Sequence, residues 1–166
     1  MCTPRPGNRS PMNTIKALVL TLLLLAPALA DSKTDVATLL DNFHQAASQA
    51  DGERYFGYFA PNGVFLGTDI NERWNVEQFK AYAMPYFSKG KGWTYRPVSR
   101  KIYISEDGNT AWFDEILDND NFGKTRGSGV LVKAGEQWKV AQYHLTLPVP
   151  NSLIEKVVKM IEADKS

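Results

Sequence analysis

The sequence predicts a single α+β domain, with helices packed on one face of a curved antiparallel sheet and a further helix at the C-terminus. Three observations carry this. Helical stripes occupy the first half of the chain and its tail, and four strand-like segments joined by short turns fill most of the second half. The chain has 166 residues and 43% hydrophobic content, which suits one domain with a real core. A chain of this length buries roughly 65–70% of its unfolded surface. Charged residues make up 22% of the chain and there is one cysteine, unlike disordered, collagen-like or disulfide-stapled sequences.

Residues 1–30 are expected to be a signal peptide, with residues 31–166 forming the domain. Arg5, Arg9 and Lys16 precede the apolar run Ala17–Ala26, and Ala28-Leu29-Ala30 supplies a small-x-small cleavage pattern before Asp31. The run falls short of the roughly 20 residues that span a bilayer, so no membrane association is expected after cleavage. Either Met1 or Met12 can serve as the start. An exported protein, periplasmic or secreted, is the expectation. Cys2 lies ahead of the apolar run and leaves with it, so the mature chain holds no disulfide, thiolate nucleophile or Cys-bound metal. It retains 16 Lys+Arg against 18 Asp+Glu, a net charge of −2 that makes nucleic acid a poor partner.

From Lys33 to Ala50, Val36, Leu39, Leu40, Phe43, Ala46, Ala47 and Ala50 form a helical stripe that Asp51-Gly52 ends. Glu53–Phe59 reads as a second short helix, Pro61-Asn62-Gly63 as a turn, and Val64-Phe65-Leu66 as a short strand. Asn75 and Gln78 predict an N-cap and its capping partner, opening a helix that carries Val76, Phe79, Ala83, Tyr86 and Phe87. Strands are predicted over 93–104, 110–117, 122–133 and 137–147. The turns between them are short enough for an antiparallel meander. Ser152 and Glu155 suggest a cap for a last helix with Leu153, Val157, Val158 and Ile161 on one stripe.

This order, with Phe65-Leu66-Gly67-Thr68-Asp69-x-x-Glu72-Arg73-Trp74, Ala111-Trp112-Phe113-Asp114-Glu115, Arg126-Gly127-Ser128-Gly129-Val130-Leu131 and Trp138-Lys139-Val140-Ala141-Gln142-Tyr143-His144-Leu145, resembles the SnoaL-like branch of the NTF2-like superfamily over nearly all of 33–150. The resemblance implies a cone whose bent sheet and long first helix enclose a cavity, commonly in a homodimer. The superfamily includes ketosteroid isomerases, polyketide cyclases and dehydratases alongside pure binding modules, so the fold alone does not fix the function.

Strand parity nominates the residues that line such a cone. In 137–147, Lys139 prefers water, which turns Trp138, Val140, Gln142 and His144 inward. In 122–133, Arg126 falls on the face opposite Lys133 and is assigned inward. In 110–117, Glu115 shares the more apolar face with Ala111, Phe113 and Leu117. Together Glu115, Arg126 and His144 would make a workable site, Arg126 holding an anionic or carbonyl oxygen while Glu115 or His144 moves a proton. The competing reading is structural, with Glu115 paired to Arg126 across adjacent strands and His144 a hydrogen-bonded core residue.

Asp69-x-x-Glu72 is itself a capping pattern, so Asp69 is a reserve acid/base candidate and Trp74 is expected to pack on Phe65. On the functional reading Asp69 and Arg73 sit at the cavity mouth. His44 lies on the flank of the first helix's buried stripe, directed toward His144. Two histidines a hundred residues apart, without further ligands, do not suggest a metal. Among the aromatic residues, Trp74, Trp112, Trp138 and Tyr143 are candidates to line an apolar ligand pocket, the others serving core or dimer interface. Gly90-x-Gly92 precedes a strand rather than a helix, and Ser128 lacks a nucleophile elbow; no cofactor is expected. The two glycines flanking Ser128 are expected to allow a bulge or bend. The sequence thus points to an exported domain that binds a small, partly apolar molecule. A cofactor-independent isomerase, dehydratase or hydrolase is one alternative, and a structural or protein-interaction module is another.

Overall fold

The computed structural model describes residues 31–164, so the expected signal peptide lies outside the described residues. Helix α1 covers 31–48 and α2 runs Gly52–Gly57, capped by Asp51, whose carboxylate accepts the Arg54 N–H. Strand β1 is Phe59–Leu66 and β2 is Arg73–Asn75. Helix α3 (Val76–Phe87) opens on the predicted capping box: the Asn75 side chain accepts the Gln78 N–H at 2.9 Å, and the Gln78 side chain accepts the Asn75 N–H at 3.0 Å. Strands β3 (Arg96–Ile104), β4 (Thr110–Asn119), β5 (Gly123–Ala134) and β6 (Gln137–Thr146) follow. A 3-10 turn (Asn151–Leu153) leads into α4 (Ile154–Asp164).

The four late strands form the antiparallel meander expected of their short turns. Two early strands extend it, giving a six-stranded curved sheet in the order β2-β1-β6-β5-β4-β3, with β1 parallel to β6. Pro61-Asn62-Gly63 does not end an element as a turn. It interrupts β1 from within: Phe59 pairs with Val140, the register then shifts, and Val64 pairs with Gln142. Proline is tolerated there because the irregularity removes the ladder bond its nitrogen cannot donate.

The core lies between the concave face and α1, α2 and α3. Val36, Leu40, Phe43, Ala46 and Ala47 present the α1 stripe to it, joined by Tyr55 and Phe56 from α2 and Phe79, Ala83 and Phe87 from α3. Aromatic rings dominate: Phe43 stacks on Tyr55 at 4.4 Å between centroids, and Phe65 on Phe79 at 3.9 Å. Each fully buried ring contributes about 1.5–3 kcal/mol from apolar area alone. The last helix departs from expectation. Its stripe exists, but no residue of α4 is buried, and Leu153, Val158, Met160 and Ile161 all face solvent.

Candidate functional site

Four elements converge on one carboxylate. Strand β4 alternates strictly, so Ala111, Phe113, Glu115 and Leu117 turn to the concave face, and Glu115 is 1% exposed. Arg100 lies opposite it in the β3–β4 register, and its Nε donates to Glu115 Oε2 at 2.7 Å. His44 from α1 meets Oε1 through Nε2 at 2.7 Å, and the buried Tyr143 hydroxyl from β6 donates to the same oxygen at 3.0 Å. Behind them, Arg100 Nη1 donates to Asp41 at 2.8 Å and to the Ala37 carbonyl at 3.2 Å, while its Nη2 is buried without a partner among the described residues.

Burial by itself would raise the Glu115 pKa. The hydrogen bond and charge of His44, with the Arg100 guanidinium, outweigh that and hold the carboxyl below its ordinary range. Burial also opposes charge on Arg100, yet Glu115 and Asp41 keep it more firmly protonated than usual. Burial, reinforced by the Glu115 charge, pushes the Tyr143 phenol well up, so it remains a neutral O–H donor. A carboxylate in this state is acceptor-only, which requires the proton of His44 on Nε2. When the ring is neutral, that tautomer leaves Nδ1 as the acceptor nitrogen.

His44 and Tyr143 line a small inner pocket of about 20 Å³ with Phe43, Tyr55 and Phe65, room for a single water. Phe65, Trp93, Tyr95 and Leu145 also belong to the wall of a wider cleft of about 250 Å³ that opens to solvent. Trp74, Phe79 and Tyr82 extend that wall, and Glu72 stands at it. Glu115 lies behind His44 and Tyr143, out of the cleft. Among the described residues, no three His, Cys, Asp or Glu side chains gather as a metal site.

Glu115 is therefore inward as parity suggested, but its cation is Arg100, not Arg126. Arg126 pairs in register with Ile116 and Thr146 and is exposed on the convex face. His144 is displaced from the expected interior by a bulge in β6. Val130 pairs with Gln142 and Leu131 with Val140, so Ala141 is an extra residue and reverses the parity beyond it. Trp138 and Val140 face inward before the bulge; Tyr143 and Leu145 face inward after it. His144 is left on the convex face beside Ser128, with the Thr146 hydroxyl at 3.4 Å. His44 accordingly points to Glu115 and not toward His144.

The bulge lies in β6 opposite Val130 and Leu131, next to the Gly127–Gly129 segment and not in it. A Cβ on Gly129 would run into the Gln142 carbonyl, and one on Gly127 into the Tyr143 hydroxyl and Glu115. The glycines let β6 and the carboxylate approach closely. Asp69 is exposed at a loop tip, where its carboxylate accepts the Asn71 N–H and Glu72 Oε2 accepts the Asp69 N–H, the capping arrangement. Arg73 is exposed. Trp74 stacks on Phe65 at 6.2 Å and borders the cleft. Trp138 is buried in the core under Lys133, and Trp112 is exposed on the convex face against Tyr103.

Arg100 was legible by the same parity argument. Lys101 prefers water, which turns Arg100, Ile102 and Ile104 inward.

The SnoaL-like domain family profile matches residues 36–150. An NTF2-like protein of unknown function from Pseudomonas putida has a similar structure, with TM-score 0.63 and 13% identity over 74% of this chain and 90% of its own. A cystatin-like-fold protein from Caulobacter vibrioides gives TM-score 0.62 and 15% identity over 78% and 99%. A candidate scytalone dehydratase from Novosphingobium aromaticivorans gives 0.63 and 10% over 75% and 89%. No match was found among curated proteins.

Proposed function

The chain belongs to the SnoaL-like domain family, within the NTF2-like superfamily, and on that premise we propose that it binds a small, partly apolar molecule in the aromatic cleft. The observation that carries this reading is the cleft itself: about 250 Å³, walled by Trp74, Tyr82, Trp93 and Tyr95, and sharing Phe65, Trp93, Tyr95 and Leu145 with the inner pocket that His44 and Tyr143 line. Tyr82 is about half exposed, so its ring stands at the entrance and tolerates replacement. Screening small aromatic and aliphatic compounds by thermal shift tests the reading. Compounds that stabilise the protein should lose at least tenfold in affinity in Tyr82→Ala or Trp93→Ala. Stabilising compounds indifferent to both substitutions would place binding elsewhere and overturn it.

A second reading, cofactor-independent acid/base catalysis, is favoured by one specific arrangement. His44 borders the inner pocket while Glu115 fixes its Nε2–H, which orients the Nδ1 lone pair as a proton acceptor. Glu115 and Tyr143 then act through His44, whereas Asp69 lies exposed at a loop tip and His144 on the convex face, neither lining the inner pocket. His44→Gln should abolish turnover of any substrate found while leaving its binding within threefold; retained turnover would retire this reading.

The same proposal includes export to the periplasm or outside the cell, supported by the basic-apolar-small pattern of residues 1–30. It also includes a homodimer, supported by the stacked, half-exposed pair Tyr103 and Trp112 on the convex face.

A further inference from the structure

The cleft has a chemical bias that its size does not explain. Most of its wall is aromatic, and among the described residues Glu72 is the one charged residue lining it, with no Lys or Arg. Glu72 Oε2 accepts the Asp69 N–H at 3.2 Å, and among the described residues no Lys, Arg or His approaches its carboxylate within ion-pair distance. The carboxylate therefore stands uncompensated beside Trp74 and Tyr82, whose rings stack at 4.8 Å. Its charge is felt by two phenols of the wall: burial and then Glu72 raise Tyr95, and burial, Tyr86 and then Glu72 raise Tyr82.

We propose that the ligand is an organic cation, an amine or quaternary ammonium on an apolar body, seated against the cleft's aromatic rings with Glu72 as counter-ion. This rests on the reading of the cleft as the binding site and adds the class of molecule it takes. Two physical effects act in the same direction. Aromatic faces carry negative quadrupole and attract a poorly hydrated cation, and the partly shielded carboxylate adds direct Coulomb attraction. An anion meets the same two features as repulsion. The apolar body occupies the ring-lined volume, and the single polar anchor fixes its charged end at the rim.

The test uses three near-isosteric probes of different charge: phenyltrimethylammonium, tert-butylbenzene and benzenesulfonate, titrated against the full chain by tryptophan fluorescence. The cation should bind at least tenfold tighter than the neutral probe, and the anion most weakly. Glu72→Gln should weaken the cation at least fivefold and leave tert-butylbenzene within twofold. Glu72→Asp, which keeps the charge, should retain most of the preference and guards against a folding defect in the first variant. Equal or tighter binding of the neutral or anionic probe overturns the cation assignment while leaving the cleft as a binding site. So does a cation affinity indifferent to Glu72→Gln. Binding by none of the three removes both the assignment and the reading of the cleft on which it rests.

Discussion

Glu115 is held by three donors from three elements, and that makes it more costly to replace than to keep. Removing one partner of a buried ion pair leaves an uncompensated charge, here Arg100, at a cost of about 3–5 kcal/mol. Glu115→Gln should fall near the lower end, because Asp41 still faces the guanidinium. Urea unfolding at pH 7 measures it. The sign of the pH dependence follows from the carboxyl's depressed folded pKa. Its stabilisation is complete above the unfolded value of about 4.5 and is lost as pH falls through the folded value. The gap between the wild type and Glu115→Gln should therefore be widest near neutrality and close progressively below about pH 4.5. A constant gap across that range would mean that Glu115 is not ionised in the folded protein.

At the scale of elements, the sequence was legible wherever one periodicity ran undisturbed. The α1 stripe, the Asn75 capping box, the β4 alternation and the four-strand meander were all readable because each rests on local spacing. The site was half legible for a physical reason. A bulge inserts one residue without changing composition or alternation in any detectable way, yet it exchanges the faces of everything beyond it. Reading β6 through Ala141 as unbroken placed His144 inside and Tyr143 outside, the reverse of the structure. Arg126 failed differently. Lys133, used to set its parity, sits near the strand end over Trp138, where a long side chain reaches water from either face. The close packing at the bulge gives a direct check. Gly129→Ala should destabilise the protein by about 1–3 kcal/mol, as forced overpacking against backbone does, whereas Ser128→Ala next to it should cost under about 0.5 kcal/mol. Equal melting temperatures for both would show that β6 can retreat from β5 freely.

At the scale of the whole molecule, stability and the C-terminal helix are separable. No side chain of α4 is buried, and Leu153, Ile154, Val158 and Ile161 are all exposed. Deleting residues 151–166 should leave the urea midpoint of the domain within the equivalent of about 0.5 kcal/mol. A larger loss would mean that the helix is covered in solution. Among the described residues, no helix is long and apolar enough to cross a membrane. The parallel pairing of β1 with β6 has a kinetic consequence. Residues 59–66 find their central neighbour only at 140–144, with the other strands of the meander between them in sequence, so closing this pair carries a large loop-closure entropy. A nascent polypeptide emerging N-terminus first cannot complete this sheet until Thr146 at the end of β6 is free. Until then the chain carries an unfinished sheet whose first strand is still waiting for its partner.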